Sequence, residues 1–349
     1  MYIPVLKNRT VEVSVLQQLS QIGVFDHSII PLVELIQERT RSNMKNTFFD
    51  ELISIMEAAP NMRVMLDFYK STRLRNTSDA IREYITRTVR QPDFFQSELY
   101  KIVQFNDRVI PVLSYIPETV SIERLYDECQ FCQRFFQHVA FRLKPQEFDF
   151  VFGQVSAWIR QGDYVILDIE TASYTSPVFK SMYKKIADLK RQTGCISIVI
   201  KAHRPEDLAN NRMLDEEPIG DIDNGLKDLY SSSYMSRFDG FGDYACVTAS
   251  LPTTGGAISP VGIYYSAENN FFVSFRARQP VLSEFPEYIV PSIMSSGYWH
   301  EFNDGHHRTC PGCLEIRQIA DGVKSGKNQA QWKMITMLHY IFAMYEMNA

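Results

Sequence analysis

Short apolar runs alternate with amphipathic stretches along most of the chain. YIPVLK (2–7) precedes TVEVSVLQQLSQIG (10–23), where Thr10 is placed to cap a helix and Gly23 to end it. The order recurs with SIIPLVEL (28–35) before NTFFDELISIMEAA (46–59), and RVMLDFY (63–69) before TSDAIREYITRTV (77–89) and FFQSELYKIV (94–103). RVIPVLSYI (108–116) precedes SIERLYDECQFCQRFF (121–136), and HVAFRL (138–143) precedes FDFVFGQVSAWIRQG (148–162). DYVILDIE (163–170) precedes SPVFKSMYKKIADLKRQTG (176–194), and CISIVIKA (195–202) precedes a polar loop and DNGLKDLYSSSYM (223–235). DGFGDYACVT (239–248) is the eighth apolar run.

Apolar runs without strict alternation suit strands buried on both faces, and strands alternating with helices form βαβ units around a parallel sheet. Eight such units predict an α/β fold, an eight-stranded parallel (β/α)8 TIM-like barrel over residues 1–250. A doubly wound open sheet is the competing architecture, but no glycine-rich phosphate loop follows the first strand. The pentapeptides IPVLK, IPLVE and IPVLS mark equivalent strands, and Pro4, Pro31 and Pro111 are expected at strand beginnings or irregular spots because proline lacks an N–H.

The alternation stops near residue 250, so residues 251–349 read as a C-terminal extension packed on the barrel. AISPVGIYYSAENNFFVSFRAR (257–278) predicts a hairpin turning at AENN, and PEYIVPSIMSSGYW (286–299) is partly helical. NQAQWKMITMLHYIFAMYEM (328–347) predicts a last helix serving as the outer partner of the eighth strand.

Composition narrows the function classes. With 349 residues, 45% hydrophobic, 22% charged and a net charge of −5, the chain is an ordinary globular one. Non-specific nucleic-acid binding is not expected from that charge, and no apolar run is long enough for a membrane span. MYIPVLKNRT lacks the basic and long apolar regions of a signal peptide, so a cytoplasmic protein with reduced thiols is expected.

The variable last residue of the pentapeptide carries the chemistry. Aligned over the eight strands, that position is Lys7, Glu34, Asp67, Ser114, Arg142, Asp168, Lys201 and Asp243. Barrels of this class build active sites at the C-terminal ends of their strands, so these side chains are expected to converge on one mouth, with Glu170, His203 and Arg204 just beyond. Charges there lose hydration and need partners or a ligand. Asp67, Asp168 and Asp243 could hold a divalent cation, Mg or Mn, through oxygen ligands. Lys7, Arg142 and Lys201 could hold a phosphate or carboxylate. Glu34 would serve as general base, Lys201 and Arg142 would stabilise developing charge, and Ser114, His203 and Arg204 would contact substrate. The bland alternative is a salt-bridge network plugging an inert barrel.

HHRTCPGC places His306, His307, Cys310 and Cys313 within one short segment. The Cys-Pro-Gly-Cys turn can aim two thiolates at one ion, so His307, Cys310 and Cys313 are candidate zinc ligands, with His306 or His339 as the fourth. Cys129 and Cys132 sit one helical turn apart and read as packing residues. PTTGG (252–256) is a loop whose N–H groups could cradle an anion. No nucleotide-cofactor motif and no GxSxG is present.

MYIPVLKNR leading to IIPLVEL, FDGFGDY, and CPGCLEIRQIADG followed by GKNQAQWKMITMLHYI resemble the "beta protein" family of phages and bacteria. The resemblance covers essentially the whole chain. It implies a barrel-like α/β protein linked to conflict between phage and host, without an assigned activity. It gives a context, and Lys7, Glu34, Asp168, Asp243 and Trp332 are candidates by position only. Where that family pairs two histidines in its last helix, this chain has His339 followed by Tyr340. Two functions follow. One is a metal-assisted hydrolase or phosphoryl-transfer enzyme acting on a nucleotide or nucleic-acid end. The other is a recognition or sensor subunit for a phage component or partner nuclease, expected to expose an apolar patch near Phe271 to Phe275 or on the last helix.

Overall fold

The computed structural model describes residues 1–38, 47–72, 74–117, 119–219, 238–252 and 258–348. The apolar runs form parallel strands β1 (Tyr2–Lys7), β2 (Leu32–Leu35), β3 (Val64–Phe68), β4 (Val109–Ser114), β5 (Ala140–Leu143), β6 (Tyr164–Asp168) and β7 (Ile196–Lys201). β9 (Gly240–Asp243) pairs with β7 on one side and β1 on the other and closes the barrel. Closure excludes the open sheet. The intervening helices are α1 (Thr10–Gln21), α2 (Phe48–Ala58), α3 (Asp79–Arg90), α4 (Pro92–Tyr100), α5 (Ile122–Phe135), α6 (Phe148–Trp158) and α7 (Phe179–Thr193).

Residue parity divides the core. Ile3, Val5, Leu32, Met65, Val112, Ile166 and Ile200 fill the barrel interior. Their neighbours Leu6, Val33, Leu66, Leu113, Leu167 and Val199 belong to the cluster outside it. On β9 the inward positions are Gly240 and Gly242, where a Cβ would stand 2.5 Å from the carbonyl oxygens of Met1 and Ile3 respectively. Only glycine permits that approach of β9 to β1.

The prolines lie where the ladder lapses on one side, although Pro4 still faces Asp243 of β9 and Pro111 faces Leu66 of β3. β1 meets β2 at Tyr2 opposite Ile29 and again at Val5 opposite Leu32. The same offset sets Pro4 opposite Pro31, in the break between those pairs. Pro111 lies inside β4, but pairing with β5 begins only at Val112. The missing N–H groups therefore cost little.

Gly23, with φ of 75°, lies just past α1 as expected. Thr10 does not cap α1; it is the first helical residue, and the N-cap is Arg9, which supplies no side-chain hydrogen bond. DNGLKDLYSSSYM and, from residue 253, the PTTGG loop lie outside the described residues.

In the extension, β10 (Val261–Ser266) and β11 (Phe271–Arg276) form the antiparallel hairpin. A third strand unread in the sequence, β8 (Glu217–Ile219), adds to the free edge of β11. Helices α8 (Val290–Ser295), α9 (Gly297–His300), α10 (Asp304–Thr309), α11 (Pro311–Ala320) and α12 (Gln329–Asn348) follow. α12 ties the parts together. Lys333 pairs with Glu12 of α1 at 2.6 Å, Thr336 donates to the Ile263 carbonyl at 2.9 Å, and Tyr340 donates to Asp243 at 2.6 Å. Among the described residues no helix is long and apolar enough to cross a membrane.

Candidate functional site

Four buried side chains, His306, Cys310, Cys313 and His339, bring their ligand atoms within 4.8 Å of one another and could hold a metal ion. His306 comes from α10, Cys310 is the N-cap of α11, Cys313 lies in its first turn, and His339 faces them from α12. His339 Nδ1 is 3.4 Å from His306 Nε2, 3.5 Å from Cys313 Sγ and 3.7 Å from Cys310 Sγ. The outer ring nitrogens are engaged elsewhere: His306 Nδ1 meets Glu346 at 2.6 Å and His339 Nε2 meets the Tyr265 carbonyl at 3.3 Å. Such partners set the tautomer and turn the remaining nitrogen toward an ion. Burial opposes ionisation of Cys310, but hydrogen bonds from Cys313, His306 and His339 outweigh it and draw that thiol well below its usual range.

His307 is not part of this group. Its Nε2 lies 3.1 Å from the Trp299 carbonyl and its ring stacks on Trp299. Both residues offered as alternatives for the fourth ligand, His306 and His339, are present instead. Gly312 explains the turn sequence. A Cβ there would lie 2.6 Å from the His339 amide nitrogen and 2.7 Å from the Ile335 carbonyl, so glycine lets α11 press onto the backbone of α12. Cys129 and Cys132 are far from this centre in role: both are buried on α5, and burial raises both thiols, Cys129 to about 12.

The mouth of the barrel is a closed charge network. Arg142 reaches Glu34 at 2.9 Å and Asp67 at 2.7 Å through Nη1, and Asp168 at 2.6 Å through Nη2. Lys7 adds a second cation 3.3 Å from Glu34, and Ser114 donates to Asp67 at 3.0 Å. Lys7, Glu34, Asp67, Arg142 and Asp168 are at most 5% exposed. Burial would raise the Glu34 carboxyl, but Lys7 and Arg142 outweigh it and lower its pKa. For Asp67 burial wins, and its pKa is raised. Beyond the rim, Glu170 pairs with Lys144 at 2.7 Å.

Lys201 and Asp243 do not join that network. They face each other in the β7–β9 register, at the outward parity of Val199 and Phe241. The aligned ring slips by one residue on these strands, which turns a side chain to the opposite face. Asp243 instead accepts from Tyr2 at 3.0 Å, Tyr340 at 2.6 Å and the Ala245 amide at 2.7 Å. Burial pushes its pKa up to about 6. His203 lies 3.8 Å from Asp243, but burial and the Lys201 charge lower its pKa to about 3, so it is neutral there. Asp67, Asp168 and Asp243 thus do not surround one position. The inward residue of β9 is Tyr244, whose hydroxyl contacts Arg142 and Glu34. The β9 slip at its glycines hid it from the aligned ring.

A family model for Beta protein matches residues 2–346. The chain belongs to the Beta protein family. Trp332, a candidate by position only, is buried, stacks on Phe285 and donates to the Gly326 carbonyl at 2.9 Å. No curated protein matches the chain. Solved structures similar to this Beta protein family member are barrel enzymes of distant sequence. A family 18 chitinase from Crocus vernus has 13% identity and a TM-score of 0.39, over 71% of this chain and 93% of that one. The catalytic domain of a Bacillus sp. JAMB-750 endo-beta-1,4-mannanase has 10% identity and a TM-score of 0.44, over 77% and 81%. A mutant tryptophan synthase alpha-subunit from Pyrococcus furiosus has 10% identity and a TM-score of 0.37, over 70% and 88%. None carries an argument about activity.

On the hairpin, where an apolar patch is one expectation, Phe272, Val273 and Phe275 are buried and Phe271 is half-buried. Beside the mouth lies a cavity of about 740 Å³, walled by Lys7, Arg9, Arg204 and, from α12, Trp332 and Lys333.

Proposed function

We propose that this protein is a recognition barrel, binding a small polar ligand at its C-terminal rim, with a zinc ion clasping the extension that walls the site. The arrangement of Arg142 carries this reading. Its guanidinium already occupies the position between Glu34, Asp67 and Asp168 that a catalytic cation would need. Glu34, flanked by two cations and held below its ordinary pKa, is a poor general base near neutral pH. Recognition is therefore favoured over metal-assisted hydrolysis or phosphoryl transfer with Mg or Mn. The setting is conflict between phage and host, the context that family membership suggests, and the ligand would report a phage component or the action of a partner nuclease.

Zinc follows from the donor set. Two thiols and two imidazoles in a closed tetrahedral site suit zinc. Zinc bonds of about 2.3 Å to sulfur and about 2.05 Å to nitrogen require tetrahedral edges of about 3.35 Å between nitrogens and about 3.55 Å between sulfur and nitrogen. The observed separations are 3.4 Å for the nitrogen pair and 3.5 and 3.7 Å for the sulfur–nitrogen pairs. Calorimetry with magnesium and with manganese tests the functional reading. Wild-type protein is expected to give no heat beyond dilution. Saturable heat that disappears in Asp168→Asn would establish a cation at the mouth and reverse the preference for recognition.

A further inference from the structure

We infer that the rim cavity is a nucleotide-binding site, an identification of ligand class that rests on the recognition reading above. The cavity, about 740 Å³, is within the range of small-molecule sites. Its walls come from the end of β1, the start of α1, the loops after β7 and β9, strand β10 and the start of α12. Barrels of this class often seat a phosphate between the loops after the last two strands and the N-terminus of an additional helix. Here the loop after β7 contributes Arg204 and the loop after β9 contributes Thr248, whereas α12 is the long outer helix and its first turn is capped by Asn328, so the anion's amides would come from the start of α1.

The walls carry Lys7, Arg9, Arg204 and Lys333 against the carboxylates of Glu12 and Glu206, and the basic groups outnumber the acidic ones. Lys7 and Lys333 have carboxylate partners, Glu34 and Glu12. Arg204 has none there; it donates only to the Leu208 carbonyl at 2.8 Å and the Asn210 side chain at 3.0 Å, and burial lowers its pKa. Arg9 forms no ion pair among the described residues, and as N-cap of α1 it leaves the first-turn amides without a side-chain acceptor. A partly buried guanidinium with no ion pair among the described residues, beside an uncapped helix start that lines the same space, asks for an anionic oxygen ligand. Apolar residues, Val261, Ile263 and Trp332, belong to the same lining. A phosphate ester bearing a flat, partly apolar body satisfies both, and a nucleotide is that class.

Titration calorimetry on the full-length, metal-loaded protein tests this with AMP, ATP, a cyclic dinucleotide, adenosine and inorganic phosphate. At least one nucleotide is expected to bind saturably, more tightly than adenosine or phosphate. Loss of one charge-assisted contact in Arg9→Gln or Arg204→Gln should weaken it about tenfold or more. Both residues are partly exposed, and circular dichroism of each variant checks that it folds. Binding of phosphate alone, or nucleotide binding indifferent to both substitutions, overturns the nucleotide site. Adenosine bound as well as AMP overturns the anionic class while leaving rim recognition standing. Silence from every probe overturns the nucleotide site, and magnesium-dependent heat at the mouth in addition overturns the recognition reading.

Discussion

His339 Nδ1 and His306 Nε2 stand 3.4 Å apart across a separation of 33 residues, joining α12 to α10. Because Glu346 and the Tyr265 carbonyl hold the outer nitrogens, both inner nitrogens face the two thiols. His306→Ala and His339→Ala are each expected to reduce bound zinc by tenfold or more, about the lower bound for losing a ligand. His307→Ala should leave the zinc content unchanged, since that ring is spent on Trp299. Elemental analysis of the three variants checks the assignment, and equal loss in all three would refute it.

Gly312→Ala places a methyl group against the α12 backbone, 2.6 Å from the His339 amide nitrogen. Backbone cannot yield as a flexible side chain can, so overpacking of about 1–3 kcal/mol is expected, with weakened metal binding as His339 shifts. Urea unfolding with and without chelator separates the two effects. A variant as stable and as metal-replete as wild type would show that α11 does not press on α12.

Arg142→Met removes the cation shared by three buried carboxylates. Stranding such charges costs about 3–5 kcal/mol. Lys7→Met should cost less, because Glu34 keeps Arg142. Denaturant midpoints give the comparison, and a more damaging Lys7→Met would mean that Arg142 is not the hub.

Asp243 sets a pH dependence of definite sign. In the folded protein burial raises its pKa to about 6, whereas an unfolded Asp titrates near 3.9. The folded state keeps the proton between these values and the unfolded state loses it. The contribution is therefore greatest below about pH 4, is lost as pH rises through 4 to 6, and is flat above; its size is about 3 kcal/mol. Glu34 acts oppositely, its lowered pKa adding stability that is lost as pH falls. Subtracting the stability profile of Asp243→Asn from that of wild type isolates the Asp243 limb. A difference rising from pH 4 to 6 would contradict the buried placement of this carboxyl.

The barrel was legible because eight apolar runs recur, seven of them followed by a charge at the aligned position, and Lys7, Glu34, Asp67, Ser114, Arg142 and Asp168 do meet at the mouth. Lys201 and Asp243 misled because strand parity, not position after the run, decides which face a side chain takes. The glycines of β9 carry no apolar signal, so nothing in the pattern announced that Tyr244 turns inward. The metal ligands were visible as residue types. Which histidine joins them depends on α12 crossing α11, a tertiary contact whose trace in the sequence is Gly312. Lys7, Arg204 and the segment leading into PTTGG read as candidate ligand contacts, but that they share one cavity with α1 and α12 depends on tertiary packing that no local pattern shows.

The zinc content of wild-type protein, purified without added metal, tests most directly whether the extension is clasped to itself at this centre. About one equivalent per chain is expected from a closed four-ligand site. Less than about a tenth of an equivalent, with the protein still folded, would contradict the clasp.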